Sequence, residues 1–295
     1  MADPGESLED VVRRALAEDL GRADLSLEGD LTSTCAVPAE RRGRATLIAK
    51  SAGVLAGVDC ARAAFAALDP AAEVEQRLAD GARFAPRDVV LVVEGMMRAV
   101  LAAERTALNF VQRLSGIATM TRAFADAVAG TSAEILDTRK TTPGLRALEK
   151  AAVRAGNGTN HRFGLFDQVL LKENHFAFAK PLGYEEVVRR CVAARVGDVV
   201  AEARTIDEAR AAVRGGAAIV LLDNFAPGDA LRAAVAAVRA EASQAERPVA
   251  IEASGGIHLG NVRAFADCGV DRISIGALTH SAPAVDLSLL VEVVP

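Results

Sequence analysis

From about residue 130 to residue 280 the chain repeats one rhythm, a short apolar run followed by an amphipathic stretch. The runs are 133–137 (AEILD), 168–172 (QVLLK), 198–203 (DVVAEA), 218–223 (AIVLLD), 248–253 (PVAIEA) and 272–276 (RISIG). Segments 144–155, 184–195, 205–214, 228–241 and 259–267 fall between them and space their apolar residues as helices do. Short apolar runs separated by helices, never by hairpin turns, imply parallel strands joined by helical crossovers. An α/β barrel is expected over a doubly wound sheet. The G-x-G-x-x-G spacing of a dinucleotide site and a Walker-type phosphate loop are both absent.

The preceding part of the chain reads differently. Leu8, Val11, Val12, Ala15, Leu16 and Leu20 give residues 8–20 helical spacing. Strand-like runs at 44–50, 72–79 and 88–94, with one alanine-rich helix over 58–68, describe an open sheet with helical cover, an α+β unit. A long helical pattern then covers 97–129, with Ser115-Gly116 reading as a turn signal in its middle. The expected division is an N-terminal unit over 1–116 and a barrel over 117–281. Residues 282–295 are expected to pack with the first unit, through a strand at 287–294.

Composition narrows the function. At 295 residues, 51% hydrophobic and 25% charged, the chain can build a sizeable core. Its net charge of −5 argues against a general binder of nucleic acid or membrane surfaces. Aromatics make up 4%, with no tryptophan and Tyr184 the single tyrosine, too few for a base-stacking platform. Cys35, Cys60, Cys191 and Cys268 form no C-x-x-C pair and read as reduced, mostly packed thiols. The segment 1–20 is acidic and amphipathic, unlike a secretory leader, and runs such as 217–222 are far too short to span a bilayer. A cytoplasmic protein is the expectation. His161, His175, His258 and His280 lack metal-ligand spacing, and no G-x-S-x-G elbow occurs.

The polar residues that close the apolar runs carry the chemistry. Asp137-Thr138-Arg139-Lys140 follows EIL, Lys172 follows VLL, Glu202 closes VVA, Asp223 closes IVLL, Ser254-Gly255-Gly256 follows IEA, and Ile275-Gly276-Ala277 ends the last run. In a β/α barrel these ends share one mouth. Between 138 and 172 there are seven Lys/Arg against two acids, +5 locally in a chain of −5. Two like charges about 6 Å apart repel by roughly 3 kcal/mol at an effective dielectric near 20, so converging cations need anions. Arg139, Lys140, Arg162 and Lys172, beside strand ends and with His161 among them, are therefore read as an anion site. Arg146, Lys150 and Arg154, at i, i+4 and i+8, are read as a solvated helix face. Glu202 and Asp223 can hold Mg²⁺ through water and substrate oxygens, stabilise a developing cation, or pair with the basic residues. The glycines at 255, 256 and 276 allow close backbone approach, and loops after the last strands of a barrel commonly hold phosphate.

Longer strings make the pattern specific: 18–33 (EDL…GDLTS), 104–119 (ERTALNFVQRLSGIAT), 137–146 (DTRKTTPGLR), 160–175 (NHRFGLFDQVLLKENH), 222–224 (LDN), 253–257 (ASGGI) and 276–281 (GALTHS). In this order, over nearly the whole chain, they resemble the quinolinate phosphoribosyltransferases. The resemblance implies a decarboxylating pentosyltransferase of NAD biosynthesis. It would use quinolinate, 5-phosphoribosyl 1-pyrophosphate and Mg²⁺, and be built as an N-terminal open sandwich joined to an α/β barrel. It also implies a homodimer, extended to a hexamer in some members, in which Arg105 of one copy reaches its neighbour's site. By the same resemblance Arg139, Arg162, His161 and Lys172 grip the two quinolinate carboxylates, and Lys140 bridges quinolinate and the ribosyl donor. Glu202 and Asp223 hold ribose hydroxyls and Mg²⁺, and Ser254, Gly255, Gly256 and Gly276, with Thr138 and His280, bind phosphate. One departure stands out: Val200-Ala201-Glu202 occupies a strand where family members often carry E-V-E, so only the second acid is present. Two other enzyme classes fit parts of the pattern, a transferase acting on a monocarboxylate ring and a Schiff-base lyase using Lys140 or Lys172.

Overall fold

The computed structural model describes residues 6–194 and 197–292. Residues 1–5, 195–196 and 293–295 lie outside that description, and with them the last residue of the expected helix 184–195 and the last two of the expected strand 287–294. The chain forms two compact units, one drawing on residues up to 122, 141–157 and those from 279 on, the other on 123–140 and 158–278.

The first unit opens with helix α1 (Leu8–Leu20), where Ser7 and Asp10 form a reciprocal capping box and Gly21 ends the helix in the left-handed conformation. Its buried stripe is Val11, Val12, Leu16 and Leu20, and a short helix α2 (Leu31–Ala36) follows. Strand β1 (Arg42–Ala49) alternates strictly, with Gly43, Ala45, Leu47 and Ala49 buried. The short strand β2 (Gly53–Val54) and helix α3 (Val58–Leu68) precede β3 (Glu73–Gln76), β4 (Arg83–Phe84) and β5 (Val89–Met96). β5 lies between β1 and β3 in an antiparallel sheet.

Helix α4 (Met97–Ala127) runs 31 residues without a break, through the Ser115-Gly116 pair that reads as a turn in the sequence. Packing explains the two residues. Ser115 Oγ accepts from Ala56 N–H at 3.0 Å and donates to its carbonyl, and Thr119, one turn on, accepts from Val54 N–H at 2.8 Å. At Gly116 a β-carbon would stand 2.0 Å from the carbonyl oxygen of Pro283. Gly116→Ala is therefore expected to cost about 1–3 kcal/mol by overpacking, measurable as a lower denaturant midpoint with unchanged slope. An unchanged midpoint would contradict this contact. Among the described residues no helix is long and apolar enough to cross a membrane.

The second unit carries six parallel strands: β6 (Glu134–Leu136), β7 (Val169–Leu171), β8 (Val199–Ala203), β9 (Ile219–Asp223), β10 (Ala250–Ser254) and β11 (Arg272–Ser274). Their order is β7-β8-β9-β10-β11-β6, so the first strand in sequence lies beside the last. That is the cyclic order of a barrel wall, and not the reversing order of a doubly wound sheet. The segment at Thr159 bridges to Leu136 on the far side of β6. Helices α7 (Tyr184–Ala193), α8 (Ile206–Gly215) and α9 (Asp229–Gln244) form the crossovers, and α6 (Glu173–Phe178) and α10 (Val262–Ala266) are shorter. One face of the strands, Ala201, Ala203, Val220, Leu222, Ile251, Ala253 and Ile273, is fully buried. The other carries a cluster of Val200, Ile219 and Leu221, with Leu170, Ala218 and Ala250 packed against it, which marks the barrel interior.

Strand β12 (Leu287–Glu292) belongs to the first unit and pairs antiparallel with β1, from Arg44↔Glu292 to Ala49↔Leu287. α4 holds the approach to it: Gln112 donates to Leu287 O at 2.9 Å, and Arg113 donates to the carbonyls of Ala282 and Thr279. Helix α5 (Arg146–Ala155), in the same unit, departs from the sequence reading. Arg154 is exposed, but Lys150 and its neighbour Glu149 are buried. Glu149 accepts from Arg113 at 3.1 Å and from the hydroxyl and N–H of Thr142 at 2.8 and 3.1 Å, so this side of the helix serves an internal polar hub.

Candidate active site

Strand geometry puts side chains two residues apart on the same face. Counting in twos from the interior residues Leu136, Leu170, Val200, Leu221 and Glu252 leads to Thr138, Lys172, Glu202, Asp223 and Ser254 at the C-terminal strand ends. The registers Leu170↔Val200, Glu202↔Leu221 and Asp223↔Ser254 keep these residues in adjoining rows. The second unit thus gathers at one mouth most of the residues that the sequence singles out.

The basic side of the mouth is built on Asp137, which is fully buried at the end of β6. Its Oδ1 accepts from His161 N–H at 2.9 Å and its Oδ2 from the Asn160 amide at 2.6 Å, fixing the 160–162 segment beside β6. The His161 ring is buried. Its Nδ1 accepts from the Arg162 N–H at 2.7 Å, and its Nε2 stands 3.3 Å from Oε1 of Glu252. Both ring nitrogens are thus engaged within the protein, and His161 meets the mouth through Arg162. The Arg162 side chain donates to Gln168 O at 2.9 Å, while its buried Nε has no hydrogen-bond partner. Burial and the nearby charge of Arg139 push the Arg162 guanidinium below its ordinary value, and Asp167 only partly offsets them. Arg139 and Lys140 are exposed, with the Lys140 N–H donating to Thr138 Oγ1 at 3.0 Å to turn the loop.

Asp167 closes the loop after Arg162 by accepting from the N–H groups of Phe163 and Gly164 at 2.6 and 2.9 Å. Burial works to raise its carboxyl, but these N–H groups and Arg162 outweigh it, and the group sits below its ordinary value. A depressed folded value means that Asp167 stabilises the loop above about pH 4, where the unfolded group is already ionised, and loses that effect as pH falls through the folded value. Protection factors of the Phe163 and Gly164 amides, taken relative to the intrinsic exchange rate at each pH, are expected to be steady above about pH 4 and to fall below it. Equal protection on both sides would contradict this reading.

The acidic side is simpler. Glu202 Oε1 accepts from Glu173 N–H at 3.1 Å, and Tyr184 donates to the Glu202 carbonyl at 2.6 Å while stacking on Phe176 at 3.9 Å. Asp223 Oδ2 accepts from the Asn224 amide at 2.7 Å. Asn224, in the left-handed region at φ 60°, donates its N–H to Ser254 O at 2.9 Å. Gly255 admits this neighbour, because a β-carbon there would lie 2.1 Å from Asn224 Oδ1. Among the described residues no group of three His, Cys, Asp or Glu could hold a metal by itself. The two carboxylates suit Mg²⁺ only as a shared ion, completed by water and substrate oxygens, which is its common mode.

The remaining expected residues are placed less centrally. Ile275 is buried and its N–H is committed to Leu136 O at 2.9 Å, extending the β11–β6 pairing. Gly276 and Ala277 lead into the single-turn helix α11 (Ala277–His280). His280 and Arg105 both belong to the first unit. His280 is exposed, with Nδ1 2.6 Å from Ser281 Oγ. Arg105 is exposed on α4 and lines a cleft of about 540 Å³ with Arg14, Asn109, Arg113 and Leu148.

Three positioning groups, Asn160, Asp167 and Glu252, are missing from the sequence's candidate set, and Asp137, which the sequence marks only as a strand-closing residue, gains its positioning role from the structure. Glu252 had a legible signal, an acid between Ile251 and Ala253 in a strand that must be buried on both faces. Burial works to raise its carboxyl, but His161, Arg272 and Ser274 outweigh this and hold it below its ordinary value.

Comparison with known proteins agrees with this geometry. Residues 117–290 match the family described as quinolinate phosphoribosyl transferase, C-terminal domain, and residues 30–115 match its N-terminal domain. The chain is 40% identical over 291 residues to the nicotinate-nucleotide pyrophosphorylase (carboxylating) of Mycobacterium leprae (strain TN), covering 96% of this chain and 97% of the relative. It is 38% identical over 282 residues to the probable enzyme of that name from Bacillus subtilis (strain 168), covering 96% and 92%. A solved nicotinate-nucleotide pyrophosphorylase from Francisella tularensis superposes with a TM-score of 0.86 at 36% identity, covering 97% of this chain and 96% of that one.

Proposed function

The chain belongs to the quinolinate phosphoribosyltransferase family, and on that premise we propose how its barrel mouth does the work. The reaction moves the phosphoribosyl group of 5-phosphoribosyl 1-pyrophosphate to quinolinate with loss of CO₂, giving nicotinate mononucleotide and pyrophosphate in NAD biosynthesis. The observation that carries the site assignment is the Arg139–Arg162 pair. Arg162 keeps a buried Nε with no hydrogen-bond partner, and burial and the charge of Arg139 disfavour its guanidinium charge, with Asp167 offsetting this only in part. Such a cluster is unfavourable alone and fits a doubly negative ring, whose carboxylates match the planar guanidinium fork.

Arg139, Arg162 and Lys172 hold the two carboxylates, with His161 behind Arg162. The ring nitrogen then attacks C1 of the ribose, the C1–oxygen bond to pyrophosphate breaks, and positive charge develops on the sugar. Glu202 and Asp223 stabilise that charge and bind the ribose hydroxyls. Ser254, Gly255, Gly256 and Gly276, with Thr138, border the phosphate. Lys140 spans acceptor and donor. Glu202 and Asp223 would hold Mg²⁺, which would supply charge neutralisation for the leaving pyrophosphate. Once ribosylated, the ring nitrogen is cationic. The adjacent carboxylate leaves as CO₂, its bonding pair remains on the ring carbon beside that nitrogen, and a proton completes the product. No covalent enzyme intermediate is required. The exposure of Lys140 and Lys172 weighs against a Schiff-base route, which favours a desolvated lysine.

The reading extends to a cytoplasmic homodimer in which exposed Arg105 completes the neighbour's mouth. The free thiols Cys35, Cys60, Cys191 and Cys268 are in keeping with a reducing compartment. Full-length protein given quinolinate, the phosphoribosyl donor and Mg²⁺ should release CO₂ and pyrophosphate in equal amounts. Pyrophosphate release without CO₂ would overturn the proposal.

A further inference from the structure

Glu252 is fully buried inside the barrel, in register between Leu221 on β9 and Arg272 on β11, one interior position below Ser254. Burying a carboxylate costs several kcal/mol before its partners repay it, and much of the interior around it is apolar. Its two oxygens face different partners. Oε2 is 3.3 Å from Arg272 Nε and Oε1 is 3.3 Å from His161 Nε2, close electrostatic contacts in which neither oxygen meets hydrogen-bond geometry. The Arg272 contact balances charge. The other contact reaches the mouth.

In a flat sheet, the Thr159 segment and β10 would lie three strand spacings, about 14 Å, apart. The wall curls so that His161 meets Glu252 across the interior. Because His161 Nδ1 accepts the Arg162 N–H at 2.7 Å, it carries no proton, and the ring's proton sits on Nε2, facing the carboxylate. The opposite tautomer would set two donors against each other at Nδ1 and an acceptor against the carboxylate at Nε2. Glu252 thus selects the one ring state that can hold the Arg162 backbone, while Asp137 fixes the same segment from the other side.

We propose that Glu252 is a positioning residue for diacid recognition, acting through the His161 ring to fix Arg162. This rests on the reading of Arg162 as a carboxylate grip. Full-length protein labelled with ¹⁵N-histidine is expected to show His161 protonated at Nε2 and not at Nδ1. Glu252→Met, which removes the acceptor at similar volume, should lose that signature and raise the quinolinate KM about tenfold. Its kcat and its KM for the phosphoribosyl donor should change less than about twofold. Glu252→Gln, which keeps an acceptor oxygen, should hold the quinolinate KM within about threefold of wild type. A folded Glu252→Met with wild-type quinolinate KM would overturn the proposal, as would equal losses toward both substrates, the mark of a merely structural role. Should Glu252→Met fail to fold, the wild-type spectrum and Glu252→Gln decide. A proton on Nδ1, or a tenfold loss in Glu252→Gln, would overturn it. If Arg162→Ala leaves the quinolinate KM unchanged, the premise fails and the proposal with it, a result separable from the tautomer measurement.

Discussion

Replacing Lys140 with alanine is expected to lower kcat by about two to three orders of magnitude, the usual cost of removing one preorganised charged donor from a reacting site. The side chain leaves the loop after β6, where the Lys140 N–H is tied to Thr138 Oγ1 and the residue is exposed. Because the loop is held by backbone and Thr138, the substitution should change folding stability by no more than about 0.5 kcal/mol. In the proposed mechanism the loss belongs to the chemical step, where one ammonium group would span the attacking ring and the activated sugar. Single-turnover measurement at saturating substrates separates this from binding. Near-wild-type turnover would exclude the bridging role.

Arg162→Ala is expected to act on binding instead. A charged hydrogen bond contributes about 1.5–3 kcal/mol, so two parallel bonds to one carboxylate give about 3–6 kcal/mol. At about 1.4 kcal/mol per decade, kcat/KM for quinolinate should fall by roughly 10² to 10⁴, chiefly through KM, with the KM of the phosphoribosyl donor unchanged. Lysine should not restore it, because an ammonium lacks the planar fork. Arg139 adds a second expectation. Its charge already disfavours that of Arg162, so relief of that repulsion offsets part of the loss in each single variant, and the double variant, which gains the relief only once, should lose more than the sum of the singles. A purely kcat effect in Arg162→Ala, with normal quinolinate binding, would contradict the assignment.

The two predictions rest on features that differed in how plainly they could be read. The placement of Lys140, Glu202 and Asp223 at or just beyond the C-terminal strand ends is legible because an apolar run between helices in a barrel ends at the mouth. The elements are legible from local periodicity: the expected helix 58–68 is observed as Val58–Leu68 and the expected run 218–223 as Ile219–Asp223. What stayed hidden depended on non-local contact. Ser115-Gly116 carries the composition of a turn, yet the glycine serves the carbonyl of Pro283, 167 residues later in the chain. Lys150 fits a solvated stripe by spacing, while the hub of Glu149, Arg113 and Thr142 places that side of α5 inside. Asp137 resembles any strand-ending acid until the 160–162 segment comes back beside it. The short helices α6 and α11 have too few turns to show a period.

The central claim is that the mouth is built for two carboxylates, and equilibrium binding to the full-length protein tests it most directly. Calorimetric titration should find quinolinate bound at least about a hundredfold more tightly than nicotinate, the loss of one doubly hydrogen-bonded carboxylate. Arg162→Ala should narrow that gap to within about tenfold. Equal affinity of the wild-type protein for the two rings would contradict the account.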